Sequence, residues 1–291
     1  MRSFDPATLS HKDRHQTLVG MVSPRPIAFV SSISADGVPN LAPYSFFNVF
    51  GSTPPVLAFS VVQRPSDGSF KDTYNNIVAN REAVVNIVSY DILHPMTLAS
   101  LNYPSEVDEF AKAGLTPLPS TVVGPPRVKE SPAQFECKVR DIYPLGDQGG
   151  AGYMIICDIV YMHLSEHIYD EEGKIDPQRT DIMGRNGRAF YTRAKGENVW
   201  PVFRPPYKIG IGVDQLPPHI RESKILTGND LAQLASVEEI PQANEAIQTD
   251  PEVMNALAGN VQDQDHRLHL HAQSLIAAGA LEQAWQVLLA E

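Results

Sequence analysis

From Ser69 to Asn76 the chain reads Ser-Phe-Lys-Asp-Thr-Tyr-Asn-Asn. These residue types suit a phosphate. A helix starting here offers unpaired backbone N–H groups and about half a positive charge to an anion. Lys71 adds a full charge, Thr73 and Asn76 add donors, and Ser69 is the candidate N-cap. Upstream, the loop Ala42-Pro43-Tyr44-Ser45-Phe46-Phe47-Asn48 holds three aromatics and no charge. Loops ordinarily turn polar groups to water. One this aromatic folds against something flat and apolar. Ser31, Ser32, Ser45, Asn48 and the Tyr44 hydroxyl can reach the polar edge of a heterocycle. A planar, phosphorylated cofactor fits both halves. So does a plainer arrangement, in which Lys71-Asp72 is a solvated helix start and Phe46-Phe47 belong to the core. These residues alone leave the choice open.

The elements that must position them follow from periodicity and turn chemistry. Ile27 to Ile33 is an apolar, β-branched run that turns at Ala35-Asp36-Gly37 and returns through Val38 to Leu41. Two strands joined at Asp-Gly form a hairpin. Val56 to Val62 and Ala83 to Val88 read as buried strands. Ala133–Tyr143 and Tyr153–His163 read as a long pair joined by the glycine-rich stretch Leu145–Gly152. One or two helical turns are expected between Asp5 and Val19, ending near Gly20, with helices from Phe70 to near Asn80 and from Asp91, its candidate cap, to Leu101. Residues 102–132 are proline-rich and irregular. At least six closely spaced strands with few helices predict a small barrel, because a doubly wound sheet needs a crossover helix for every strand.

The net charge of −11 over 291 residues argues against nucleic-acid or acidic-membrane partners. Cys137 and Cys157 lie in apolar runs without metal spacing and read as buried, reduced thiols. The N-terminal stretch has no apolar signal region, and no apolar run approaches the roughly 18 residues of a membrane span. A cytoplasmic protein is expected.

The run RPIAFVSSISADGVPNLAPYSFFNVF, followed by PPVLAFS, KDTYNNI and VVNIV, resembles the flavin reductase-like family, which includes flavoredoxins. The stretch GLTPLPSTVVGPPRVKESPAQFECKV resembles it too. The resemblance spans about residues 15–195 and rests on the order and spacing of several motifs. It implies a mainly β fold with peripheral helices, an FMN-binding split barrel, and a homodimer with FMN near the subunit interface. It places the flavin ring against the strand of Ser31 and Ser32 and against Ala42–Asn48, where Ala42, Tyr44, Ser45, Phe47 and Asn48 line it. The phosphate falls near Ser60, Arg64 and Lys71-Asp72-Thr73, with Asn76 close by. Arg185 and Tyr191 resemble positions at the open flavin face. They also read as an ordinary strand end with exposed arginines. The implied activity is NAD(P)H:flavin reduction, with NADH or NADPH as a transient donor stacking on the flavin. Electrons would pass onward to a small molecule or an acceptor protein. No catalytic nucleophile or base is expected. An electron carrier without nicotinamide turnover, a flavin-dependent oxygenase or organic-substrate reductase, and a non-redox scaffold remain alternatives.

A division into 1–200, the split-barrel domain, and 201–291, a helical extension, is expected, with Pro201–Tyr207 as a stiff linker. In the extension, Asn229 is a candidate cap, Ser236–Glu239 has capping-box spacing, and Asp250-Pro251 opens a helix that stops near Gly259. His266–Ala278 and Ala280–Ala290 form one helical hairpin of the tetratricopeptide type, without a repeat. His266 and His269 could share a helical face, but without a carboxylate pattern they read as solvated, and no metal site is expected.

Overall fold

A computed structural model describes residues 1–64, 67–202, 209–244, 247, 249–258 and 263–290. The chain divides into two compact units, Met1–Trp200 and Pro201–Glu291.

In the first unit, helix α1 (His11–Met21) leads into strands β1 (Ala28–Ile33), β2 (Pro39–Tyr44), β3 (Phe47–Ser52) and β4 (Pro55–Val62). Helix α2 (Asp72–Asn80) and strand β5 (Glu82–Ile87) follow, then helices α3 (Leu93–Ala99) and α4 (Glu109–Ala113). The two-residue strands β6 (Pro117–Leu118) and β7 (Arg127–Val128) pair with each other. The long strands β8 (Ala133–Pro144) and β9 (Gly152–Leu164) come next, then helix α5 (Pro177–Thr180) and the hairpin of β10 (Met183–Arg185) and β11 (Tyr191–Arg193).

Seven strands form one sheet in the order β2-β1-β5-β8-β9-β4-β3, with every pairing antiparallel. The two edge strands are β2 and β3, yet only Ser45 and Phe46 separate them in the chain. So short a link reaches only about 11 Å. The sheet must therefore curl until its edges meet. The result is a barrel split along one seam, mainly β with peripheral helices, as the resemblance implied.

β1 is apolar on both faces because both are covered. Ala28 and Val30 face an interior shared with Tyr44, Leu57, Phe59, Ile77, Cys137 and Cys157. Phe29, one residue out of phase, packs with Leu41, Ile92, Met96 and Phe110 under α3 and α4. Both cysteines are buried and free, as expected.

Three local expectations are corrected. Most of the stretch Ala42–Asn48 is strand, with Ala42–Tyr44 in β2 and Phe47–Asn48 in β3. Uncharged aromatic residues suit a pleated surface as well as a loop. Helix α1 runs three turns to Met21 because Ser10 caps it by accepting the Asp13 N–H at 3.1 Å. The helix expected from Asp91 opens with a tight turn at Tyr90–Ile92, and its α-helical part ends at Ala99.

The second unit is helical: α6 (Pro218–Arg221), α7 (Gly228–Leu234), α8 (Pro251–Leu257), α9 (Gln264–Ala277) and α10 (Leu281–Leu288). The last two form the expected hairpin, turning at Gly279 with φ +78°, a backbone conformation that favours glycine. Trp285 is fully buried in its core, and its indole N–H donates to the Leu234 carbonyl at 3.2 Å. α7 is capped by Thr227 rather than Asn229, because Thr227 and Asp230 form a reciprocal capping box. No helix starts at Ser236, whose hydroxyl instead donates back to the Gln233 carbonyl at 2.7 Å and closes α7. Asp250 caps α8 as expected. The expected stop at Gly259 and linker residues 203–207 lie outside the described residues. His269 is not solvated. It is 6% exposed, and its Nδ1 accepts from the Ser223 hydroxyl at 2.8 Å. Burial lowers its pKa. Among the described residues no group of three or more ligating side chains could hold a metal, and no helix is long and apolar enough to cross a membrane.

Candidate functional site

The helix start at Lys71 behaves as its composition promises. Lys71 occupies the N-cap position of α2 without any side-chain cap. The expected cap, Ser69, instead donates its hydroxyl to Asp67 at 2.8 Å. The first N–H groups of α2 are therefore left for an external acceptor. Arg64 approaches from the end of β4, held by donation to the Ser69 hydroxyl at 3.0 Å and the Phe70 carbonyl at 2.9 Å. Burial first, and the Arg64 charge second, push the Lys71 ammonium below its ordinary pKa. Neither cation forms a salt bridge among the described residues. Two like charges are thus held together beside an uncapped helix start.

A buried polar network forms the floor. Ser32, fully buried, accepts from the Asn40 and Asn76 amides at 3.1 Å each, and Asn40 also donates to the Thr73 hydroxyl at 2.8 Å. Thr73 and Asn76, one turn apart on α2, are thereby locked to β1 and β2. The same cleft is lined by Ala42 and Pro43 of β2, Asp72, residues 99–103 and Glu109. Glu109 is 7% exposed. Burial raises its carboxyl pKa, and the Leu41 N–H, donating at 3.0 Å, opposes the rise.

Tyr44 connects this end to the strand wall. Its ring lies 5.3 Å from the Lys71 ammonium, a cation–π contact. Its hydroxyl is buried and meets no group in good hydrogen-bond geometry, although the Thr73 hydroxyl lies close by. Burial drives its pKa above the usual tyrosine range, and the nearby Thr73 hydroxyl only partly offsets this.

Past Tyr44 the wall continues. Ser45 receives the Arg25 Nε at 3.4 Å. Phe47, Asn48 and Ser60 line an adjoining groove with Phe46, Phe50, Leu145 and Met154. Arg185 and Tyr191 stack across the β10–β11 hairpin, the guanidinium 4.5 Å from the ring centroid. The backbone of Arg185 pairs with Arg25, N to O at 2.8 and 2.9 Å. That hairpin is therefore tied to the Ser45 bend.

The structure thus joins Ser32, Ala42, Tyr44, Arg64, Lys71, Asp72, Thr73 and Asn76 at one end. Ser45, Phe47, Asn48 and Ser60 lie along the wall, and Arg185 and Tyr191 form a separate hairpin. Ser31 joins none of these. It points to the opposite face of β1 and donates to the Pro126 carbonyl.

The sequence reading missed Arg25, Asn40 and Glu109. Arg25 is 7% exposed and donates to the Val19 and Val22 carbonyls at 2.7 and 2.6 Å, which fastens the end of α1 to the bend. A charge between two prolines at the entry to an apolar strand was its only signal. Asn40 stood out only as an amide inside a strand. Nothing local marked Glu109.

The flavin reductase like domain matches residues 21–178. The chain belongs to that family. An uncharacterized protein of Aquifex aeolicus is 40% identical over 183 residues, 63% of this chain and 91% of that one. Nitrilotriacetate monooxygenase component B from Bacillus cereus superposes with a TM-score of 0.64 at 32% identity, covering 70% of this chain and 98% of that one. The 2-nitrobenzoate 2-nitroreductase of Pseudomonas fluorescens superposes with a TM-score of 0.63 at 29% identity, covering 72% and 100%. The family match ends well before Pro201, so it leaves the helical unit unassigned.

Proposed function

We propose that the split barrel binds FMN and catalyses NAD(P)H-dependent flavin reduction, as a cytoplasmic homodimer that passes electrons to a small molecule or a protein. The observation that carries this reading is the unpaired couple Arg64 and Lys71 at the uncapped start of α2. Two cations brought together without a salt bridge among the described residues cost stability, and a phosphate would offset it. The buried, unpartnered Tyr44 hydroxyl adds a second unmet group beside them.

These residues fit a planar phosphate-bearing cofactor. When bound, FMN supplies the hydride-accepting chemistry. The chain supplies the rest. Lys71, Arg64 and the first N–H groups of α2 hold the phosphate. Ala42, Tyr44 and Ser45 form a wall for the ring, and Asn40, Ser32 and Asn76 fix the distance between wall and helix. Arg25 sets the bend at Ser45 and ties it to Arg185 near the open side. No side-chain nucleophile or general base is asked for. The exposed apolar residues Val49 and Phe50 on edge strand β3, and Val160, Tyr161 and Met162 on β9, supply surface for the dimer contact.

A second reading is reduction of an organic substrate. The groove of Phe46, Phe50, Leu145 and Met154 favours it, and so does the 29% identity with a nitroreductase.

The test is a visible absorbance spectrum of the purified protein, repeated after anaerobic addition of NADH or NADPH. Flavin bands that bleach support the reductase. Bands that persist with both donors shift the reading to a carrier or an oxygenase reduced by a partner. A protein that stays colourless after reconstitution with FMN refutes it.

A further inference from the structure

We propose that the cleft between α1 and the β8–β9 connection binds the 2′-phosphate-bearing half of NADPH, with Arg14 as the residue that separates NADPH from NADH. The inference rests on the flavin reductase reading above and adds a site to it.

The cleft has a volume of about 860 Å³, within the usual range for small-molecule sites. One side is a single face of α1, carrying His11, Arg14, His15 and, a turn further on, Leu18. The other side is the glycine-rich connection, residues 145–152. Gly150 has φ +91°, and a Cβ there would lie 2.6 Å from the His11 ring nitrogen. Glycine thus lets the connection close directly against this helix face. The floor holds Phe46 and Ser60, and both also line the groove beside Phe47 and Asn48. The cleft is therefore continuous with the wall assigned to the flavin ring, and a donor seated here would reach it.

Its chemistry points to a nucleotide with an extra phosphate. Phe46 offers a flat apolar surface to a heterocycle, with the His15 ring edge-on at 6.3 Å. Among the described residues the Arg14 guanidinium makes no salt bridge, and it donates a hydrogen bond to the Pro6 carbonyl at 3.1 Å. The guanidinium offers a planar fork suited to bidentate contact with one phosphate, and the His11 and His15 rings, stacked 6.3 Å apart, line the same helix face. The acid on the rim, Asp147, sits at the exposed tip of the connection. NADH carries a hydroxyl where NADPH carries the phosphate, so this cluster discriminates between them.

The test is calorimetric titration of the full chain with adenosine 2′,5′-bisphosphate and with adenosine 5′-monophosphate, which differ only in the 2′-phosphate. The parent is expected to bind the bisphosphate about tenfold more tightly or better, the worth of one charge-assisted contact. Arg14→Gln should reduce that preference to within about threefold. Lys12→Gln, one exposed residue on the same helix outside the cleft, should keep it. The ratio of kcat/KM for NADPH over NADH should fall about tenfold in Arg14→Gln, mainly through KM. Equal binding of both nucleotides by the parent overturns the proposal, and so does a preference that survives Arg14→Gln. The titration needs neither turnover nor bound flavin. A protein that oxidises neither coenzyme but keeps an Arg14-dependent preference would refute the reductase reading and leave this site standing.

Discussion

Two clusters of cations on the same barrel are built in opposite ways. At the end of the β10–β11 hairpin, Arg193 grips Asp181 with two parallel bonds of 2.6 Å, and Lys195 adds a third contact to the same carboxylate at 3.0 Å. The Arg193 guanidinium also lies 3.7 Å from the centre of the Tyr90 ring. Every charge there has its partner. At the start of α2, Arg64 and Lys71 form no salt bridge among the described residues: Arg64 is held by the Ser69 hydroxyl and the Phe70 carbonyl, and Lys71 lies over the Tyr44 ring. The first arrangement explains itself as structure. The second is the arrangement that the proposed phosphate would complete. Charges alone do not mark a site; charges that folding brings together and leaves unpaired do.

Substitutions can break this contrast. The largest effect is expected at Lys71. Lys71→Ala should weaken FMN binding about 10- to 100-fold, the worth of a charge-assisted contact, and leave the FMN-free protein at least as stable as the parent. Fluorescence titration and thermal unfolding read the two halves separately. An affinity within about threefold of the parent would erase the difference between the clusters.

The same lysine sets a pH dependence. Its ammonium is depressed in the free protein, and a bound phosphate favours the charged form. FMN affinity should therefore fall as pH rises through the lowered pKa, before reaching the ordinary lysine value of 10.5. A flat profile up to that value would place the phosphate elsewhere.

Asp181→Ala sharpens the comparison from the other side. It should cost stability and leave FMN affinity alone. Its partners are 40% and 49% exposed, so solvent screening holds the loss to about 1 kcal/mol. Arg193 above all, and then Lys195, hold the Asp181 carboxyl below its ordinary 3.8, against an opposing contribution from burial. The sign follows: the contribution is complete above that ordinary value and is lost as pH falls through the depressed one. The gap in stability between parent and variant, measured by chemical denaturation, should close only in strong acid. A gap that widens there would contradict the assigned ion pair.

The smallest effect is expected at Tyr44. Tyr44→Phe removes a buried hydroxyl that lacks a partner, so the FMN-free protein should gain up to about 1 kcal/mol. A loss of more than about 1 kcal/mol would mean the hydroxyl is already satisfied without a ligand.

Much of the barrel was legible because its signals are local. The Asp36-Gly37 turn, the strand-forming runs Ala133–Tyr143 and Tyr153–His163, and the glycine-rich link between them are each read from neighbouring residues. Strand β3 was not legible, since Phe47–Ser52 has the composition of a loop and owes its conformation to pairing with β4. In the helical unit, Thr227 and Asn229 are both good caps by type, and only the reciprocal bond with Asp230 chooses between them.

The sequence by itself determined strands β1, β2, β4, β5, β8 and β9, the hairpins that join β1 to β2 and β8 to β9, and the residue types around Lys71 and Tyr44, because propensity, turn chemistry and hydrophobic period act over short spans. Tertiary structure alone decided which charges are paired and which polar groups share a pocket. Arg64 meets Lys71 because β4 and α2 converge. Glu109 reaches the backbone of Leu41 across 68 residues, and Asn76 reaches Ser32 across 44. Ser31 and Ser32, adjacent in the chain, end on opposite faces of one strand, one facing Pro126 and the other facing the α2 network. Pairing and burial depend on distances that only the closed barrel sets.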